Sequence, residues 1–227
     1  MTVALVTGAG RGIGRATALA LAARGVDLAL VGLTADNLAE PAKLARARGV
    51  RVETFPCDVG DAGRVEATAR AVEAVLGAPD VVVHSAGIAR RVSVEATSDE
   101  DWSATLAANL SGPFFVTRAL LPSMRARGSG RFVFVASISS TLGTPRLSAY
   151  CASKWGVVGF AKSLAEELRG SGLSALSVLP GSVDTDMLAG SGFPPQMGPD
   201  EVARTIVFLA LDAPASMNSS AVEMFGP

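Results

Sequence analysis

The chain is poor in the residues that build metal cages and disulfide frameworks. Its 227 residues include one histidine, His84, and two cysteines, Cys57 and Cys151. These are too few and too widely spaced for a zinc site or a disulfide scaffold, so a reduced, metal-independent, cytoplasmic protein is expected. Neither sign of charge dominates, with 20 basic and 21 acidic side chains for a net charge of -1. That leaves no electrostatic footprint for nucleic acid or an anionic membrane surface. Long apolar runs are also missing. Hydrophobic residues make up 49% of the chain and the mean hydropathy is +0.38. Even so, no uncharged stretch reaches the roughly 18 apolar residues that a membrane-spanning helix requires. The opening MTVALVTGAGRGIG loses its apolar run at Thr7 and Gly8, so no export signal is expected. The surplus apolar residues must therefore line an interior, and one domain over 1–227 is expected because a single core serves roughly 200 to 250 residues.

Short β-branched and apolar runs alternate with longer segments of helical period, the pattern of βαβ units in a parallel sheet covered on both faces. Strands are expected at 3–7, 28–31, 51–55, 81–84, 131–136, 174–179 and 221–225. Helices are expected at 12–24, 36–48, 61–76, 99–127, 149–169 and 199–211, with Asp36, Asp61 and Ser98 as N-caps. The fold class that follows is α/β, a single Rossmann domain with a doubly wound seven-stranded parallel sheet. One irregular stretch, Asp184 to Gly198, carries three glycines and two prolines and reads as a mobile lid over a site.

After the first strand come Gly8, Gly10, Arg11, Gly12, Ile13 and Gly14, and then an amphipathic helix. Glycines there permit positive φ and let the backbone approach a pyrophosphate at a helix N-terminus, although glycine turns also serve purely structural ends. Tyr150 is the only tyrosine, and Lys154 follows it four residues later. On a helix the two share a face, and the cation is expected to draw the phenol down from about 10 towards neutrality, fitting it for acid catalysis. Ser137 ends a central strand where open α/β sheets bind ligands and can donate to a developing oxyanion. Asn109 lies four residues before Pro113. Proline has no N–H, so the Asn109 carbonyl is left free, the helix should kink, and a water can be held there. A plain amide contact between helices is the alternative.

Together these motifs resemble the short-chain dehydrogenase/reductase family, whose TGxxxGxG, YxxxK and PGxVxT patterns run in order through the whole chain. The resemblance implies hydride transfer between a nicotinamide and a carbonyl or secondary alcohol. It assigns Tyr150 as the proton donor, Ser137 as the group that orients the carbonyl, Lys154 as the ribose ligand and Asn109 as the holder of a relay water. It further implies that Asp58 and Val59 meet the adenine, that Ala86 and Gly87 line the cofactor cleft, and that Pro180, Gly181, Val183 and Thr185 meet the nicotinamide. Asp58 can equally be a helix cap. His84 and Ser85 depart from the family's NNAG, and His84 reads as the replacement of a structural asparagine near the adenosine ribose.

An NAD-preferring fold places a carboxylate at the end of the second strand, where this chain has Gly32. With Arg11 and Thr34 nearby, NADP(H) is favoured, while NAD(H) stays possible. The family pattern is most like that of 3-oxoacyl-carrier-protein reductases, so a 3-oxoacyl-type ketone is the first substrate expectation, with Arg127, Arg131 and Arg169 the only basic residues near the expected carrier-protein grip. Arg90 and Arg91 could instead meet an anionic substrate or form a solvated pair. A sugar or polyol dehydrogenase is the alternative, and a non-catalytic nicotinamide-binding regulatory protein a further one. A small-molecule carbonyl or alcohol, with no nucleic acid and no membrane, completes the expected partners. A homodimer or homotetramer is expected through Phe114, Phe115, Leu120, Trp155, Val158 and Phe160.

Overall fold

The computed structural model describes residues 2–226. Seven strands, β1 (Val3–Thr7), β2 (Asp27–Gly32), β3 (Val52–Pro56), β4 (Val81–His84), β5 (Gly130–Val135), β6 (Leu173–Pro180) and β7 (Ala221–Met224), form one parallel sheet in the order β3-β2-β1-β4-β5-β6-β7. The helices are α1 (Gly12–Ala23), α2 (Ala35–Arg46), α3 (Ala62–Leu76), α4 (Asp99–Leu106), α5 (Gly112–Arg127), α6 (Ser148–Glu167) and α7 (Pro199–Val207).

Alternating side chains of each strand feed two cores. Ala4, Val6, Leu28, Leu30, Val133 and Val178 pack towards α1, α2 and α7, and Leu5, Val31, Val82, Phe132 and Phe134 pack towards α3, α5 and α6. Among the described residues no helix is long and apolar enough to cross a membrane.

Three expectations need correction. The helix expected over 99–127 is two helices joined by a π turn at Ala107–Ser111, which absorbs the donor missing at Pro113 by widening the helix rather than breaking it. The last helix likewise ends in a π turn, Phe208–Asp212. Asp36 is not an N-cap: α2 begins at Ala35 behind Thr34, leaving Asp36 in the first turn, where its charge suits the helix dipole. By contrast Asp61 and Ser98 do cap, accepting from the backbone N–H groups of Arg64 and Asp101 at 3.0 Å each.

His84 is a core residue, with no open face towards a ribose. It is 3% exposed, its ring stacks on Phe134 at 4.5 Å, and Nε2 lies 3.1 Å from the Thr117 hydroxyl. Burial pushes its pKa down from 6.5 to about 3, so the ring stays neutral near neutral pH. The unfolded chain takes up this proton more readily than the folded one, so acidification from pH 6.5 towards 3 favours unfolding. Chemical denaturation across that window should show wild-type stability falling more steeply than that of His84→Asn, by up to about 1.4 kcal/mol per pH unit.

Candidate active site

The sheet order reverses direction between β1 and β4, and the segments leaving their carboxyl ends diverge to open a crevice where such folds hold ligands. On one side, Thr7 at the end of β1 accepts from the backbone N–H groups of Ser85 and Ala86 at 3.1 Å each. It thereby fastens the 85–87 turn to the glycine loop. Thr7 is the threonine of the TGxxxGxG pattern, but the pattern alone gave no sign of this fastening role.

The glycines are required by close contact. Gly8 has φ +67, and a β-carbon there would stand 2.8 Å from the Ala86 backbone; one at Gly14 would stand 2.2 Å from the Gly8 carbonyl. A β-carbon at Gly10 would stand 2.9 Å from the Asn37 carbonyl, and one at Gly12, which has φ +53, would stand 3.2 Å from Thr185 Cγ2. Ile13 packs partly into the core. Arg11 gives α1 no side-chain cap, and no acid sits in the first turn. A backbone cradle at an uncapped helix N-terminus fits a dinucleotide pyrophosphate. The Arg11 guanidinium itself reaches Asp186 at 3.5 Å in an exposed pair, and Thr34 is exposed at the start of α2 without a side-chain capping bond. Gly32 ends β2 with no carboxylate, its missing side chain facing Leu38 at 2.9 Å.

Asp58 accepts from the Gly60 N–H at 2.9 Å; it caps this turn rather than α3, and its side chain is exposed. Val59 is buried, with Gly112 packed against it. Pro180 ends β6, Gly181 donates to the Met224 carbonyl at 2.8 Å, and Val183 bridges to Met197. The loop 184–198 that follows has neither helix nor strand of its own; with Thr185 at one end and Phe193 at the other, it encloses a hollow of about 250 Å³.

On the other side of the crevice the four expected chemical residues converge. Asn109 is 1% exposed. Its Oδ1 accepts from the Ile88 N–H at 2.8 Å while Nδ2 donates to the Ile88 carbonyl at 2.9 Å and to Ser153 Oγ at 3.0 Å. The side chain thus clamps the segment that leaves β4 against α6, and Ser153 in turn donates to the Tyr150 carbonyl at 2.7 Å. Lys154 Nζ donates to the Val135 carbonyl at 2.8 Å and lies 5.6 Å from the centre of the Tyr150 ring. Gly87 leaves room beside it: a β-carbon there would stand 3.0 Å from Asn109 Oδ1 and 3.8 Å from Nζ. Ser137 accepts from the Ser139 N–H at 3.1 Å and lies close enough to the phenol of Tyr150 to lower its pKa. Ser139 Oγ and Thr144 Oγ1 stand 3.0 Å apart next to this pair.

The expected depression of the Tyr150 pKa is overturned. Burial raises it, outweighing the lowering by Ser137 and by the charge of Arg91, with Cys151 raising it further. The reason is geometric: the Lys154 ammonium is committed to the Val135 carbonyl over the ring, and burial brings its own pKa from 10.5 down to about 8.

Because the folded chain releases the Lys154 proton before the unfolded chain does, this group penalises folding below pH 8, and the penalty is relieved as pH rises towards 10.5. In denaturant titrations at a series of pH values, wild type should therefore gain on Lys154→Met by on the order of 3 kcal/mol between pH 8 and 10.5.

Comparison with known proteins agrees with this geometry. The profile of the short chain dehydrogenase family matches residues 2–192. A D-threitol dehydrogenase of Mycolicibacterium smegmatis is 41% identical over 96% of this chain and 89% of its own length. A 3-oxoacyl-[acyl-carrier-protein] reductase of Synechocystis is 37% identical over 94% of this chain and 91% of its own. A solved structure from Beutenbergia cavernae, described as an NAD(P)-dependent gluconate 5-dehydrogenase with NADP bound at low occupancy, superposes with a TM-score of 0.91 at 32% identity, covering 98% of this chain and 94% of that one. A glycine cradle at the switch point, a Ser137–Tyr150–Lys154 cluster beside it and full-length similarity to NAD(P)-linked oxidoreductases lead to one conclusion: the chain belongs to the short-chain dehydrogenase/reductase family.

Proposed function

We propose that this oxidoreductase prefers NADP(H) and interconverts a small ketone and its secondary alcohol. The observation that carries the reading is the gathering of the buried Ser137 and Lys154 about Tyr150, with Lys154 Nζ 5.6 Å from the centre of the phenol ring. The nicotinamide, when bound, supplies or accepts the hydride. In the reducing direction Ser137 donates to the substrate oxygen and stabilises its growing negative charge, and Tyr150 passes its phenolic proton to that oxygen, leaving an alcohol. A pKa raised by burial keeps the phenol protonated before the transfer. Lys154 would turn its remaining donors to the ribose hydroxyls, and Asn109 would anchor a water through which Tyr150 regains its proton. Gly8, Gly10, Gly12, Ile13 and Gly14 would cradle the pyrophosphate; Asp58 and Val59 would border the adenine; Ala86 and Gly87 would border the ribose; and Pro180, Gly181, Val183 and Thr185 would hold the carboxamide end.

The cofactor preference rests on Gly32. No carboxylate at the end of β2 repels a 2′-phosphate, while Arg11 and Thr34 can receive it. Arg127, Arg131 and Arg169 lend no support to a carrier-protein grip. Arg131 is spent on the carbonyls of Leu209 and Ala213, Arg127 on those of Ala78, Pro79 and Ser129, and Arg169 on Glu166. Arg127 and Arg131 flank the amino end of β5, the edge opposite the site. The adjoining hydroxyls of Ser139 and Thr144 and the similarity to a D-threitol dehydrogenase favour a hydroxylated substrate, the sugar or polyol reading. Leu120, expected at an interface, is fully buried in the core, whereas Phe114 and Trp155 are 40% and 54% exposed; a cytoplasmic homo-oligomer joined through their faces of α5 and α6 is part of the proposal.

Titration of NADPH and NADH by fluorescence should give tighter NADPH binding, and Arg11→Ala should weaken NADPH about tenfold more than NADH. Tyr150→Phe should lose at least about a hundredfold in kcat while still binding NADPH. Equal binding of the two cofactors to wild type would remove the preference, and full activity of Tyr150→Phe would remove the mechanism.

A further inference from the structure

Two arginines stand at the mouth of the Ser137–Tyr150 site without a carboxylate partner. Arg91, in the segment after β4, sends Nη2 to the Met187 carbonyl at 3.1 Å, touching the loop that follows β6. Its charge reaches the Tyr150 phenol. Arg146 comes just before the Leu147 that opens α6, and its Nη2 lies 3.4 Å from the Arg91 carbonyl. A bridge between Val92 and Leu147 ties the two segments together. Arg146 holds φ +62, a left-handed backbone that costs a non-glycine residue energy and is found mostly where surrounding structure enforces it.

Each guanidinium has five N–H donors, and these contacts occupy one apiece. The neighbouring Arg90 is neutralised by Asp101 at 3.5 Å, and Arg11 pairs with Asp186, but among the described residues no ion pair involves Arg91 or Arg146. Leu147 gives α6 no side-chain cap, and no acidic residue occupies the first turn of that helix, so the local field also favours an anion. The hydroxyls of Ser139 and Thr144 stand 3.0 Å apart, and the Ser139 backbone N–H donates to Ser137 Oγ.

We propose that Arg91 and Arg146 form an oxyanion subsite, so that the substrate is a hydroxylated acid. Its carboxylate or phosphate is held between the two guanidinium groups while its reacting carbinol carbon faces Ser137 and Tyr150. The assignment rests on the reading of Ser137 and Tyr150 as the reacting centre, and it names the substrate class of that site. Planar forks suit both carboxylate and phosphate, and the hydroxyls of Ser139 and Thr144 read those of the substrate. Because Arg91 also contacts the 184–198 loop through Met187, an occupied subsite would bring that loop and α6 to a common anion.

The test uses the full-length protein loaded with NADP+ and three probes of similar size: D-gluconate, D-glucitol 6-phosphate and neutral D-glucitol. Calorimetry should show at least one anion binding about tenfold or more tighter than D-glucitol, and the tighter of the two identifies carboxylate or phosphate as the natural group. In Arg146→Gln and Arg91→Gln that ratio should fall towards one. Arg146→Lys should restore part of it, and Arg125→Gln, which removes a charge at the far end of α5, should leave it in place. D-glucitol binding as tightly as both anions, an anion preference that survives both glutamine variants, or no binding by any of the three would overturn the subsite. Anion binding of the expected kind without turnover of these probes or of a ketone panel would instead leave the subsite standing and overturn the catalytic reading of Ser137 and Tyr150.

Discussion

A parallel sheet covered on both faces has only its carboxyl edge left for a ligand, and the placement of every chemical group in this chain follows from that restriction. Helices on one side and helices on the other exclude water from the strands, so side chains along β1, β4, β5 and β6 are confined to packing. Polar chemistry is pushed to the first residues beyond each strand: Gly8 after β1, Ser85 after β4, Ser137 after β5 and Gly181 after β6. The order in which strands are laid down, outward to β3 and then back across to β4, puts the glycine cradle next to the Ser137–Tyr150 pair without any long loop having to bridge them.

The cost of that arrangement appears in the titratable groups. Tyr150, Lys154 and His84 are each driven towards the neutral form, because desolvation is the largest influence on all three. For His84 this has no chemical use and merely fills the layer beside Phe134. For the other two it sets the starting state of a proton transfer: a phenol that keeps its proton until an alkoxide demands it, and an amine close enough to neutrality to exchange with its surroundings.

Much of this could be read from residue order. The inner strands are runs buried on both faces, and their ends fall where Thr7, His84 and Ser137 interrupt them, so the expected boundaries lie within a residue or two of those observed. The catalytic candidates were legible because Tyr150 is the only tyrosine and Lys154 sits one helical turn from it. What could not be read was direction. Spacing placed the ammonium near the phenol but gave no sign that its hydrogen bond goes to the Val135 carbonyl, so the sign of the Tyr150 shift came out reversed. The partners of Arg131 and Asn109, and the approach of Arg146 to Arg91, depend on contacts between segments far apart in the chain. Helical period likewise ran smoothly through Ala107–Ser111, since a π turn changes the hydrogen-bond partner and not the residue types.

That π turn has a bearing on how the protein can change by descent. It holds about one residue more than an α-helical turn would, and the surplus sets the rotation of α4 relative to α5. Loss of a single residue between Ala107 and Ser111 would let the two helices fuse into a regular one, a local gain in hydrogen bonding. It would also turn everything on one side by about 100°, carrying Asn109 away from Ile88 and Ser153. The segment should therefore accept altered residues far more readily than altered length, and among descendants of this chain a gap here would mark one that had given up the Asn109 clamp.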